Sequence, residues 1–204
     1  MARDASEVVV VSGLPRTGTS MMMAMLEAGG VPPLTDRVRA PDEDNRRGYW
    51  EYEPVKALRD GADWLPQARG HAVKIIAMLL QHLPEDQACA VLLMRRHLDE
   101  VLASQRQMLQ RRGRPGGRLS EADLRTLYQR QYDQALAWGR RTGSRVLEVD
   151  YNALVIAPRP WVAQIDTFLG GGLDRDAMQA VVEPDLHRQR ADAPSREGHH
   201  GRTH

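Results

Sequence analysis

Apolar residues in this chain cluster into short runs separated by amphipathic stretches. Residues 7–12, 71–76, 89–94 and 145–149 are such runs, each bounded by turn residues and too short for a helix, which is the pattern of strands. Val8-Val9-Val10-Val11 is β-branched without alternation, so both faces of that strand need cover, as in the middle of a parallel sheet. The runs 71–76 and 89–94 look central for the same reason. A further short strand is expected at 31–34.

Between these runs the spacing turns helical. A helix is expected over 21–28, stopped by Gly29-Gly30, and another near 54–59, where Pro54 is tolerable in a first turn. A short helical segment holds Trp64 and Leu65. After Met94, the positions of Val101, Leu102 and Leu109 mark one helix face. Ser120 followed by Asp123 resembles a capping box and opens a long helix to about residue 141. Three more helical segments follow the last strand: Tyr151 to residue 157, then 161–169 and 175–182. Strands alternating with helices give a doubly wound α/β domain. The expected architecture is a single-domain, three-layer α/β/α fold with a central parallel sheet.

Two stretches stand outside that alternation. Residues 35–49 are too long and too polar for a tight turn, and loops of that length often carry function. The tail from about Pro184 has little to bury and reads as flexible. The domain is therefore expected over residues 1–190, with 191–204 as a loose end.

The chemistry starts where the first strand ends. Gly13, Pro15 and Gly18 punctuate a loop that runs into the first helix, and Thr19 or Ser20 can cap it. Backbone N–H groups in a first helical turn lack intrahelical partners, so an anion is favoured there. Gly13-x-x-x-x-Gly18-Thr19-Ser20 matches the nucleotide-binding spacing G-x-x-x-x-G-K-[ST] except at the lysine, where Thr19 stands. The loop's cation comes three residues earlier, as Arg16. Pro15-Arg16-Thr17-Gly18-Thr19-Ser20 resembles the 5′-phosphosulfate loop of the sulfotransferase family, P-[KR]-[ST]-G-T-[ST], at every position.

Two more segments carry that resemblance, which spans roughly residues 7–190. The family holds the 3′-phosphate of its donor, 3′-phosphoadenosine 5′-phosphosulfate (PAPS), with an arginine just after a strand and a serine eight residues later. Arg96 and Ser104 repeat that spacing, and a planar guanidinium fork with a hydroxyl suits phosphate oxygens. Tyr151-Asn152-Ala153-Leu154 with Pro158 is similar to the family's Y-x-x-L/M…P segment, whose tyrosine lies near the adenosine. The resemblance thus implies a PAPS-dependent sulfotransferase making a sulfate ester or sulfamate by in-line displacement. It implies that Arg16 neutralises the leaving phosphate. Residues 17–20 would cradle the 5′-phosphate, with hydroxyl contacts from Thr19 and Ser20. No metal is called for.

The general base is less plain. Small-molecule sulfotransferases carry K-x-H in the strand matching 71–76, and here Lys74-Ile75-Ile76 puts Ile76 at the histidine. Lys74 would still stabilise the bridging oxygen, or would be an ordinary strand-end cation. Carbohydrate sulfotransferases use a glutamate between the loop and the next strand, an interval that holds Glu51 and Glu53. Glu51, flanked by Trp50 and Tyr52, is the first choice for proton removal; the plainer alternative is that both carboxylates cap the following helix. The family's closing R-K-G-x-x-G-x-x-K loop is matched only loosely by Arg196-Glu197-Gly198-His199-His200-Gly201-Arg202-Thr203-His204. Two rival readings stay open: a nucleotide kinase-like phosphotransferase, and a degenerate protein that binds the donor without catalysis.

Composition narrows the partners. The 204 residues carry 28 Lys+Arg against 27 Asp+Glu, so a basic surface for nucleic acid or membrane is not expected and the ligand is expected to be small; with the resemblance, the expected acceptor is a small molecule or carbohydrate. The single cysteine, Cys89, excludes an internal disulfide. With no apolar leader and no run approaching a membrane span, a soluble cytoplasmic protein is expected.

Overall fold

The structure, a computed structural model, describes residues 7–36, 48–111, 113 and 119–182. Four strands, β1 (Val8–Gly13), β2 (Ala72–Lys74), β3 (Cys89–Arg95) and β4 (Arg145–Asp150), form one sheet in the order β2-β1-β3-β4. Every pairing is parallel. Period-2 alternation splits β1 between two cores. Val8 and Val10 pack with Val73, Val91, Leu93 and Trp138 on one face; Val9 and Val11 pack with Met22, Met25, Leu92 and Leu154 on the other.

Helices cover both faces. α1 (Thr19–Ala28), α4 (Tyr151–Ile156), α5 (Pro158–Phe168) and α6 (Arg175–Ala180) contribute to the second core. α2 (Leu98–Arg111) and α3 (Glu121–Thr142) contribute to the first. Met21, Met22, Met23, Met25 and Leu26 are all buried, because α1 lies between the sheet and α6 and needs apolar side chains nearly all round. The Ser120–Asp123 capping box is present: Asp123 N donates to Ser120 Oγ at 3.1 Å and Ser120 N to Asp123 Oδ2 at 3.3 Å.

Several expected elements come out shorter or different. The strand expected at 31–34 is one parallel bridge, Pro33 to Ala72, since Pro32 and Pro33 have no N–H to continue a ladder. The run 71–76 pairs only as far as Lys74, with Ile75 N still donating to the Val11 carbonyl at 3.0 Å. Beyond that point the chain leaves the sheet and enters a 3-10 turn, Ala77–His82. The helices expected near 54–59 and at Trp64 are 3-10 turns as well, Glu53–Ala57 and Leu65–Ala68, each with a proline in its first turn. Most of the polar stretch 35–49 and the tail beyond residue 182, including the glycine-histidine segment at 196–204, lie outside the described residues.

Candidate functional site

The carboxyl ends of β1 and β3 meet at one place because the two strands pair in register from Val8–Cys89 to Gly13–Met94. The loop leaving β1 is bent tightly. Gly13 has φ 156°, and a Cβ there would lie 2.5 Å from Thr17 Oγ1. Thr17 is buried and donates its hydroxyl to the Leu14 carbonyl at 2.7 Å, closing the turn from inside. Arg16 carries φ 71°, a left-handed conformation that costs a non-glycine residue about 1–2 kcal/mol. Gly18 caps α1 with φ 92°, and its Cβ would fall 2.4 Å from Tyr151 Cδ2. Pro15, Thr19 and Ser20 complete the loop and the first turn of α1, the end of a helix whose dipole favours an anion.

Three segments converge on this loop: α2, the β3–α2 junction and α4. Arg16 Nε donates to Ser104 Oγ at 2.9 Å, which ties the loop to α2. Arg96, between β3 and α2, donates through Nη1 to the Arg16 carbonyl at 3.2 Å and through Nε to Glu100 Oε2 at 2.8 Å. Its guanidinium also lies over the Tyr151 ring, 4.7 Å from the centroid. Glu100 accepts from Asn152 Nδ2 through its second oxygen at 2.9 Å. Arg16, Arg96, Ser104 and Tyr151, separated widely in sequence, thus sit in one hydrogen-bonded and stacked group.

Electrostatics follow from burial. The side chains of Arg96 and Glu100 are only 7% and 3% exposed, so removing either charge strands the other in low dielectric, at a cost of about 3–5 kcal/mol. Burial pushes the Tyr151 hydroxyl above its ordinary pKa; Arg96 and Arg16 oppose that shift and Glu100 adds to it. Tyr151 therefore stays neutral, with one ring face against Arg96 and an edge against Gly18.

The residues considered for proton removal lie on another segment. Lys74, at the end of β2, donates Nζ to the Tyr49 carbonyl and so pins the stretch holding Glu51. Trp50 adopts φ 52° there. Thr35 Oγ1 and Asp36 N both donate to the Glu51 carbonyl, at 2.8 and 3.2 Å. Glu51 Oε2 lies 3.7 Å from Lys56 Nζ, while Glu53 Oε2 is 2.7 Å from the same ammonium and 64% exposed. Lys56 is accordingly pushed up in pKa, chiefly by the Glu53 hydrogen bond. Glu53 opens the 3-10 turn and its N–H donates to Asp36 Oδ2 at 2.6 Å.

Glu100 and Asn152 were not among the residues expected here. Their signals are faint in sequence: Arg96 and Glu100 are four residues apart, and Asn152 directly follows Tyr151. Only the contact between α2 and α4 brings them together. Among the described residues no group of His, Cys, Asp and Glu could hold a metal ion, and no helix is long and apolar enough to cross a membrane.

A sequence profile described as the sulfotransferase family matches residues 49–175. That span is more than half of the chain and contains Glu51, Lys74, Arg96, Ser104 and Tyr151, while the β1–α1 loop precedes it. No curated protein matches the chain by sequence. Among solved structures, the sulfotransferase domain from the curacin biosynthetic pathway superposes with a TM-score of 0.54 at 14% identity. It covers 87% of this chain and 78% of that one. A sulfotransferase from Alicyclobacillus acidocaldarius superposes with a TM-score of 0.50 at 16% identity, covering 85% and 83%. At such identities the two structures speak to the shared fold.

Proposed function

The chain belongs to the sulfotransferase family, and from that premise we propose that it transfers a sulfuryl group from PAPS to a hydroxyl or amine of a small-molecule or carbohydrate acceptor. The observation carrying this reading is the Arg16 Nε to Ser104 Oγ bond of 2.9 Å, between residues 88 positions apart. It joins the two stretches that the family resemblance relates separately to the 5′- and 3′-phosphates of the donor.

The residues fit such a donor. Two arginines and a serine hydroxyl supply charge-assisted donors for phosphate oxygens. Gly13 and Gly18 leave the loop without side chains where a Cβ would meet neighbouring atoms at 2.5 and 2.4 Å. The donor supplies an activated sulfur: the acceptor oxygen or nitrogen bonds to it as the bond from sulfur to the 5′-phosphate oxygen breaks. A proton and 3′-phosphoadenosine 5′-phosphate are released. Arg16 offsets charge on the departing phosphate, and Arg96 with Ser104 fixes the 3′-phosphate. Thr17, as a buried tie within the turn, holds the loop in shape, while Pro15, Thr19 and Ser20 belong to the same cradle.

Proton removal falls to Glu51. Glu53 is mostly exposed, held by Lys56 at 2.7 Å, and placed at the start of a 3-10 turn, which accounts for it as a first-turn acid. Glu51 is 28% exposed and farther from Lys56. Lys74 anchors the Tyr49–Glu51 segment and, from the end of β2, is the candidate to stabilise the bridging oxygen.

Calorimetry with 3′-phosphoadenosine 5′-phosphate, against ATP, tests the donor site. Binding of the bisphosphate, weakened by about 2 kcal/mol or more in Arg96→Ala, is the expected result, with thermal unfolding to verify that the variant is folded. Preference for ATP would favour the kinase-like reading instead. For catalysis, Glu51→Gln is expected to abolish sulfation while the bisphosphate still binds, and unchanged turnover would remove Glu51 from the mechanism. Donor binding with no sulfation of any acceptor in a broad panel would mark a binding protein.

A further inference from the structure

Both arginines of the site are gripped by one face of α2. Glu100 and Ser104 stand four residues apart, hence side by side on a helix surface, and each takes the Nε of a different arginine: Glu100 that of Arg96 at 2.8 Å, Ser104 that of Arg16 at 2.9 Å. Glu100 is in turn held through its other oxygen by Asn152 on α4. Stability alone does not explain a carboxylate that is 3% exposed, because a buried ion pair is often no better than the apolar residues that could replace it. Its geometric effect is definite. A guanidinium is a rigid plane, and Arg96 is fixed in that plane by Glu100 and the Arg16 carbonyl, and across it by the Tyr151 ring.

We infer that Glu100, braced by Asn152, is a positioning residue that sets the Arg96 guanidinium for a 3′-phosphate and, through the Arg16 carbonyl, locks the β1–α1 loop to the same helix. The inference rests on the donor reading above. It makes the 3′-phosphate and 5′-phosphate halves of the site one mechanical unit: what orders Arg96 also orders the backbone of Arg16. Ser104 completes the link from the side-chain end of Arg16. Glu100 itself touches no reacting atom.

The test uses the full chain and two nucleotides, 3′-phosphoadenosine 5′-phosphate and adenosine 5′-monophosphate, titrated into wild type, Glu100→Gln, Glu100→Asp and Asn152→Ala. Side-chain Nε–H resonances of the arginines, with Arg96→Lys to assign Arg96, read the Glu100 bond without any ligand. Expected in Glu100→Gln are loss of the exchange-protected Arg96 Nε–H and a fall of about tenfold or more in the preference for the bisphosphate over the monophosphate. Asn152→Ala should move both readouts the same way by less, and Glu100→Asp should recover part of the preference. A merely structural Glu100 would lower affinity for both nucleotides together and leave their ratio unchanged, which would overturn the inference. So would an Arg96 resonance indifferent to Glu100→Gln. Should Glu100→Gln fail to fold, Asn152→Ala carries the same two readouts, and no change in either would be equally fatal. A wild-type protein that binds neither nucleotide would instead sink the donor reading, and the role of Glu100 with it.

Discussion

Gly18 shows how little freedom a single position has in this site. Its φ of 92° is a conformation that side-chain-bearing residues rarely adopt, and a Cβ would strike the Tyr151 ring at 2.4 Å. That ring is also the surface on which the Arg96 guanidinium lies, 4.7 Å from its centroid. Gly18→Ala must therefore combine backbone strain with displacement of the ring, at about 1–3 kcal/mol for the strain alone. The displaced ring would disturb Arg96 in turn. Urea unfolding should show that loss of stability, and calorimetry should show that bisphosphate binding falls well beyond what the loss of stability explains. Arg16, also at positive φ, is held there by the Arg96 and Ser104 bonds. Strain kept at a site by its neighbours is the mark of a preorganised loop.

At the level of elements, the long helix α3 was the clearest to read and is the easiest to test. Its capping box satisfies amide donors at the helix start that would otherwise lack partners. Ser120→Ala should cost about 1 kcal/mol, which for a chain of this size lowers the melting temperature by about 2–4 °C. Far-UV circular dichroism during heating measures it. Sequence spoke this plainly wherever the cause was local: the valine run of β1, the glycines of its loop, the serine cap, the eight-residue step from Arg96 to Ser104. It misled where a partner element decides the outcome. The run 71–76 has strand composition to its end, but its pairing with β1 stops at Lys74, with one further bond from Ile75 N to the Val11 carbonyl, and the chain then turns into the 3-10 turn Ala77–His82. Glu100 stands in the first turn of α2, where an acid is unremarkable by sequence. Its contact with Asn152 is a side-chain hydrogen bond from α4 to α2, which no local spacing encodes.

The whole molecule separates its stability from its chemistry along the strands. Candidate site residues collect at the carboxyl ends of β1 and β3, whereas Cys89 begins β3 at the opposite edge, 1% exposed, with its N–H donated to Ser144 Oγ at 3.2 Å. Burial, with a smaller push from Glu7, raises its thiol from an ordinary 9.0 to about 12. The sign of the consequence is fixed by proton counting. Between those values the unfolded chain loses the thiol proton while the folded chain keeps it, so the unfolded state binds fewer protons and stability falls as pH rises. The stabilising contribution is intact below pH 9 and lost progressively toward pH 12. By pH 10 the loss should reach about 1 kcal/mol. Tyr128, Tyr132 and Tyr151 are also raised by burial from 10.0, so they add losses of the same sign that have already begun by pH 10, and the cysteine's share is the difference between wild type and Cys89→Ala. Urea midpoints measured at pH 8, 9 and 10 should decline in wild type and decline less steeply in Cys89→Ala. An equal decline in both proteins would mean that another group titrates there. The same burial predicts that a thiol reagent at pH 8 labels Cys89 only as fast as the chain opens. Labelling kinetics with and without nucleotide then report whether ligand held at the far ends of the strands stabilises the entire sheet. If the sheet unfolds as one unit, bisphosphate at free concentration L should slow the labelling by the factor 1 + L/Kd.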